Sequence, residues 1–332
     1  MEATPDSDIV TPNEGFHEVE VSGENEVEIG EDNDVADLDR VSPSRCQKEA
    51  CHHKYILTDK LTLCDFPKRY RDRDVLQLAK VLALLTVKVR VGYVSRERPE
   101  FSPENLRYPL YTLRGQSIVS CGSGRIWDVE IITPEQNRKC ECRGCRASDT
   151  PIYAWAYVYV DTATHVVFDN DEAKSTDCWW GYDSPCAPHV ILEGVAMKDR
   201  NFARDTFRIA CVTHDLDLVR RLQGWTREYE ELFWEVTNKY DGSEQEVKDN
   251  LIIIVSHPHG CYKRVSLGPW ESREELSDKR TRYSYTASTC QGTSGAPVFI
   301  IGREGWEWYT HAHSWTDNKP GKTSNFSCYR WF

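Results

Sequence analysis

The sequence lacks an apolar run long enough to cross a bilayer. Its longest candidate, Val75 to Val89, is broken by Lys80 and Lys88 and falls short of the roughly 20 residues a spanning helix needs. A membrane is therefore not an expected partner. The opening MEATPDSDIV has neither a basic flank nor an apolar stretch, so no export signal is read there. Basic stripes are missing too. Residues 1–40 hold 14 acidic side chains and one basic one, which accounts for the whole net charge of -12 and leaves the remainder near neutral. Phosphate backbones need clustered Lys and Arg, so nucleic acid is not an expected partner either. There is no repeat of fixed period and no alternation of strand and helix of the kind that builds parallel α/β sheets.

What the chain does have is 13 cysteines, an odd number without an export signal. This points to a reducing compartment with mostly free thiols, and an intracellular, cytoplasmic location is expected. Residues 1–45 are acidic and nearly free of aromatics. Such a stretch buries too little apolar surface to offset ordering entropy, and it is read as a disordered arm. Residues 46–90 form a lead-in. Within it the apolar spacing from Asp74 to Leu85 predicts a helix, and the period-two pattern from Thr86 to Val94 predicts a strand. Short strands separated by turns then follow: 117–120, 125–132, 153–161, 189–195, 207–213, 251–255, 263–267, 283–287, 297–301 and 306–313. That pattern predicts an all-β sandwich or barrel. One helical interruption, Leu216 to Lys239, sits mid-chain as a linker would.

The segment richest in chemistry is Thr289-Cys-Gln-Gly-Thr-Ser-Gly-Ala-Pro-Val298. Gly292 lets the chain turn tightly and aim its N–H at a substrate carbonyl. The N–H of Ser294 can point the same way, and the pair would form an oxyanion hole. Gly295 removes a side chain that would crowd an acyl intermediate. The Gly-x-Ser-Gly-x-Pro pattern resembles the nucleophile loop of trypsin-like (chymotrypsin-fold) serine peptidases, above all their intracellular, HtrA-like branch. Thr293 stands where secreted trypsins carry Asp, which implies no zymogen switch in which a freed N-terminus pairs with that Asp. The resemblance spans about residues 90–332. It implies two six-stranded antiparallel barrels, residues 91–215 and 246–332, joined by a helical linker at 216–245.

A serine needs a neighbouring base, and in the order His, Asp, Ser that base lies upstream. His165 ends a strand and follows the small-residue turn Thr162-Ala-Thr, resembling the Thr-Ala-x-His segment of these peptidases. The upstream Gly122-Ser-Gly matches the turn that precedes it. For the acid, Asp205 and Asp215 both fit the pattern, with Asp217 a third choice. Asp205 is preferred because it opens a strand, whereas Leu216 onward reads as helix.

The implied activity is serine endopeptidase on protein or peptide substrates: catalytic His165, Asp205 and Ser294, oxyanion hole Gly292 and Ser294, no cofactor and no metal. Tyr309 to Trp315 lies where relatives pair with substrate main chain, and His313 matches the histidine of acid- and glutamine-selecting relatives. Preference for Glu or Gln before the cut bond is one reading of His313; support of the sheet is the other. Ser256-His-Pro-His-Gly260 reads as a turn, with His257 and His259 as metal ligands or groove-lining residues the alternative. Cys140, Cys142 and Cys145 could ligate zinc with a fourth ligand such as Cys178 or Cys186, or remain free thiols. Cys46-x4-Cys51-His-His is a weaker pattern of the same kind. The alternative function is a catalytically inactive trypsin-like fold that binds proteins.

Overall fold

The structure, a computed structural model, describes residues 24–30, 37–38, 41, 46, 48–102, 105–240, 251–276, 280–301, 311–319 and 322–328. Strands β1 (Glu24–Asn25), β2 (Glu28–Ile29) and β3 (Ile56–Leu57) precede helix α1 (Arg73–Leu85). Next come β4 (Thr86–Val91), β5 (Ser120–Ile132), the short helix α2 (Arg143–Arg146), β6 (Trp155–Thr162), α3 (Asn170–Lys174), β7 (Thr176–Trp180), β8 (Val190–Asn201) and β9 (Thr206–Thr213). Helix α4 (Leu216–Tyr240) leads to β10 (Leu251–Ser256), β11 (Arg264–Leu276), β12 (Arg280–Tyr285), β13 (Pro297–Ile300), β14 (His311–Lys319) and β15 (Lys322–Cys328).

Both long helices follow their apolar period. Val75, Leu78, Ala79, Val81, Leu82 and Leu85 are the buried face of α1, and Asp72 caps it by accepting the N–H of Asp74. Leu218, Val219, Leu222, Tyr229, Leu232, Phe233 and Val236 are the buried residues of α4, which packs on α1. The strands pair antiparallel throughout. β5 pairs with both β4 and β6, so the first ring runs β4-β5-β6-β9-β8-β7 and returns to β4. β15 pairs with both β12 and β14, and the second ring runs β10-β11-β12-β15-β14-β13 and returns to β10. Counted along the chain, each ring joins its strands in one order: first, second, third, sixth, fifth, fourth. The fold is chymotrypsin-like. One apolar cluster draws Val89 and Val160 from the first barrel, Val255 and Phe299 from the second, and the buried faces of α1 and α4.

Several expectations need correction. The first barrel begins at Thr86 rather than at residue 91. The two strands expected at 117–120 and 125–132 are one strand, β5, with a register shift between Ile126 and Asp128. β7 and β15 were not expected. Of the strand expected over 306–313, residues 306–310 lie outside the described residues. Most significantly, residues 24–30 do not behave as a structureless acidic arm. β1 pairs with β14 of the second barrel and β2 with β5 of the first, so this segment bridges the two. Glu26 and Glu28 are buried there because each meets charged or polar partners far along the chain.

Candidate active site

The cleft between the barrels gathers side chains from both. His165 lies just beyond β6, in the turn Ala163-Thr-His, and is buried. Its carbonyl accepts from Arg98 Nη1 at 3.0 Å. Arg98 in turn forms a bidentate pair with Glu172, Nε to Oε1 at 2.6 Å and Nη2 to Oε2 at 2.7 Å, with both side chains at 0 % exposure. Asp205 occupies the left-handed region (φ 51°) at the turn into β9. Its carboxylate accepts the backbone N–H of His165 at 3.0 Å on Oδ1. On Oδ2 it accepts His165 Nδ1 at 2.6 Å and the Ser314 hydroxyl at 2.5 Å. A carboxylate only accepts, so Nδ1 carries the ring proton and the lone pair of Nε2 is left to take another. Asp215 is used differently. Its carboxylate accepts the N–H of Leu218 at 2.8 Å and caps α4. Asp217 is exposed and pairs with Arg220. Neither meets His165 in the bonds the structure shows, and the geometry brings Asp205 alone of the three to it.

Ser294 is buried in the loop before β13. Its neighbours are glycines for steric reasons that differ. Gly292 has φ 88°, and a Cβ there would lie 2.6 Å from the carbonyl oxygen of His257. Gly295 has φ 78°, and its Cβ would lie 2.2 Å from Thr162 Oγ1 and 2.5 Å from the Ser123 carbonyl. Gly295 lets the loop seat against the first barrel. Gly122-Ser-Gly, expected as a turn, is instead part of strand β5, and Ser123 at its centre staples that seat. Its N–H donates to the Ser294 carbonyl, its hydroxyl donates to the Gly292 carbonyl, and it accepts the N–H of His257, all within 2.8–2.9 Å. Ser294 Oγ and His165 Nε2 are both buried and make no hydrogen bond among the described residues.

The cleft is occupied by the chain's own residues 24–30. The Glu26 carbonyl oxygen accepts the N–H of Gly292 at 2.7 Å and that of Ser294 at 3.4 Å. Glu24 and Asn25 pair in register with Thr316 and Trp315, and Asn25 Nδ2 donates to the Ser314 carbonyl at 2.9 Å. Past Glu26, Glu28 and Ile29 pair with Cys121 and Ser120. The Glu26 side chain enters a pocket made by His313 and Lys48. It forms an ion pair with Lys48 and accepts from His313 Nε2 at 2.8 Å. Burial alone would raise the Glu26 carboxyl, but the Lys48 charge and the His313 bond outweigh it and hold it well below the carboxylate range. Burial pushes His313 below the ordinary histidine range, with Glu26 opposing. A neutral ring follows, its Nδ1 accepting from the Tyr285 hydroxyl at 2.7 Å and its Nε2–H donating to Glu26. Sequence reasoning picked out His313 but missed Lys48, Tyr285 and Glu26, because no local pattern joins them.

Two further clusters have metal-ligand composition. Cys140, Cys142, Cys145 and His214 converge, with His214 Nε2 at 3.0, 3.8 and 3.6 Å from the three sulfurs. The fourth member is His214, not Cys178, whose sulfur lies 3.7 Å from that of Cys211, nor Cys186, which is exposed. Cys46, His52, His259 and Cys290 form the second set, with the two sulfurs 3.7 Å apart. The turn Pro258–Gly260, expected from its proline and glycine, is present and places His259 in this set.

No family profile matches the sequence, and no curated protein matches it. Solved structures similar to it include proteases. The Rv3671c protease from M. tuberculosis in its active form is 13% identical, with 78% of this chain and 82% of that one covered and a TM-score of 0.39. The HtrA-type protease AlgW with a decapeptide is 13% identical, with 76% and 62% covered and a TM-score of 0.39. Deg5 is 11% identical, with 68% and 79% covered and a TM-score of 0.35.

Proposed function

We propose that this chain is a serine endopeptidase that hydrolyses protein or peptide chains through Ser294, His165 and Asp205. The observation that carries this reading is convergence on one carbonyl. The Gly292 and Ser294 N–H groups both meet the Glu26 oxygen, in a cleft that also holds the His165–Asp205 pair. In the reaction, Ser294 Oγ bonds to the substrate carbonyl carbon and its proton passes to His165 Nε2. The two amides hold the developing oxyanion. His165 then protonates the leaving amine, and water reverses the sequence to release the acid. Base catalysis contributes typically about 10²–10⁴ in rate and one oxyanion donor about 10²–10³. His313 and Lys48 favour a carboxylate before the cut bond.

A fluorophosphonate probe tests this. Labelling of the purified chain that vanishes in Ser294→Ala, together with fastest cleavage after Glu in a panel offering Glu, Gln, Arg and Leu, is the expected result. Absent labelling and cleavage in folded protein would favour the other reading, an inactive trypsin-like fold that binds proteins. That reading has one observation behind it, the missing hydrogen bond between Ser294 and His165.

A further inference from the structure

We infer that the Glu26–Val27 bond is a self-cleavage site, processed within the same molecule. This rests on the peptidase reading above and adds its first substrate. The segment lies in the cleft as a cleavable peptide would. Its carbonyl is in the oxyanion hole, the side chain before the bond is in a matching pocket, and the flanking residues pair with a strand from each barrel. The pairing fixes the register, since a shift by one residue would place Asn25 or Val27 opposite the Lys48–His313 pocket. A buried carboxylate is costly to leave unpaired, and only Glu26 lies where Lys48 and His313 satisfy it.

The step balances without an outside reagent except water. Ser294 Oγ bonds to the Glu26 carbonyl carbon, and the bond from that carbon to the Val27 nitrogen breaks. The serine proton travels by way of His165 to the Val27 amine. Water then adds to the Glu26 ester, restoring the serine hydroxyl and leaving a free carboxyl on Glu26. The released piece, residues 1–26, carries eight acidic side chains and no Lys or Arg. Its departure opens the cleft to other chains, so the uncut form is self-blocked and the cut form competent.

The experiment follows intact mass and N-terminal sequence of the purified full chain over time, beside Ser294→Ala and Glu26→Lys. Wild type is expected to yield a chain beginning at Val27, with a rate constant unchanged on hundredfold dilution. Both variants should keep the Glu26–Val27 bond intact. A wild-type chain that labels with the probe and cuts added peptides, yet keeps this bond, overturns the inference while leaving the peptidase reading standing. Cleavage that slows in proportion to dilution overturns its intramolecular character. A chain that neither labels nor cuts overturns both.

A second, independent observation concerns the two cysteine–histidine clusters. We propose that each binds a structural zinc ion, against the expectation of no metal. Tetrahedral zinc with Zn–S of about 2.3 Å and Zn–N of about 2.0–2.1 Å sets ligand atoms roughly 3.5–3.8 Å apart, as most of the contacts above do. In the first cluster the backbone N–H of Cys142 donates to Cys140 Sγ and that of Cys145 to Cys142 Sγ, as suits thiolates. In the second, His52 Nε2 is buried without a hydrogen-bond partner among the described residues. The Glu28 carboxylate takes His259 Nδ1 at 2.8 Å and leaves Nε2 to face the cluster, the carboxylate–histidine pairing common behind zinc. Metal analysis after washing with a weak chelator should find about two zinc ions per chain, one per cluster, with His214→Ala and His52→Ala each losing one. Should variants fail to fold, cobalt exchanged into wild type should show thiolate-to-metal absorption. Folded wild type with only background zinc and no such absorption overturns the proposal.

Discussion

Asp205→Asn is expected to lower kcat by roughly 10⁴ while leaving the protein folded and KM little changed. The backbone permits the change, since asparagine is among the residues that tolerate the left-handed region Asp205 occupies. The chemistry does not. Asp205 Oδ2 accepts both the Nδ1–H of His165 and the Ser314 hydroxyl. An amide nitrogen at that place donates instead, so the imidazole is driven to carry its proton on Nε2, where it faces Ser294 and can no longer accept. The imidazolium formed during catalysis also loses its counter-charge. Steady-state kinetics on a peptide with Glu before the cut bond measures the loss. Asp215→Asn serves as control and should leave kcat within a few-fold, because Asp215 caps α4 and an asparagine caps nearly as well. Equal losses in the two variants would contradict the assignment of the acid.

The largest stability effect is expected at Arg98. Arg98→Met should cost about 3–5 kcal/mol, the usual penalty for removing one partner of a buried ion pair. Glu172 would keep the N–H bonds from Ser95 and Phe168 but would hold an uncompensated charge at no solvent exposure. The carbonyls of Pro109, His165 and Val166 would each lose a donor as well. Denaturant unfolding followed by tryptophan fluorescence reads the change. Replacing both partners, Arg98→Met with Glu172→Leu, should recover part of the loss, since no buried charge is then left alone. A double variant as unstable as the single one would show that the three carbonyls, and not Glu172, are what Arg98 serves.

The parts of this site that were legible in the sequence share a property: each is local. The serine loop announces itself because Gly292 and Gly295 are demanded by contacts that exclude a Cβ, and glycine at such places is a strong signal. The helices α1 and α4 show their 3.6-residue period because one face of each is buried. His165 stands out through the small-residue turn that carries it. The parts that stayed hidden are joined over long separations. Glu26 meets His313 across 287 positions and Cys46 meets Cys290 across 244, so composition alone marked residues 24–30 as an arm that could not order. A run of acidic residues cannot order through its own burial, but it can when basic and polar partners wait in a cleft. His214 joins the Cys140 cluster across 74 positions for the same reason. Asp205 was separable from Asp215 only through the helix start at Leu216, which was itself a local signal. β7 was missed because Thr-Asp-Cys-Trp-Trp is too short to display a period of two.

His165 and Asp205 come from the first barrel and Ser294 from the second, with α4 as the covalent thread between them. On the proposed mechanism, neither barrel holds a functional half-reaction of its own. A chain nicked after α4 would therefore give two inert fragments whose activity returns only by complementation, at a rate second order in their concentrations. The apolar cluster shared by Val89, Val160, Val255 and Phe299 would be what draws them together. Turnover in such a pair would report the association of the barrels as directly as the chemistry at their seam.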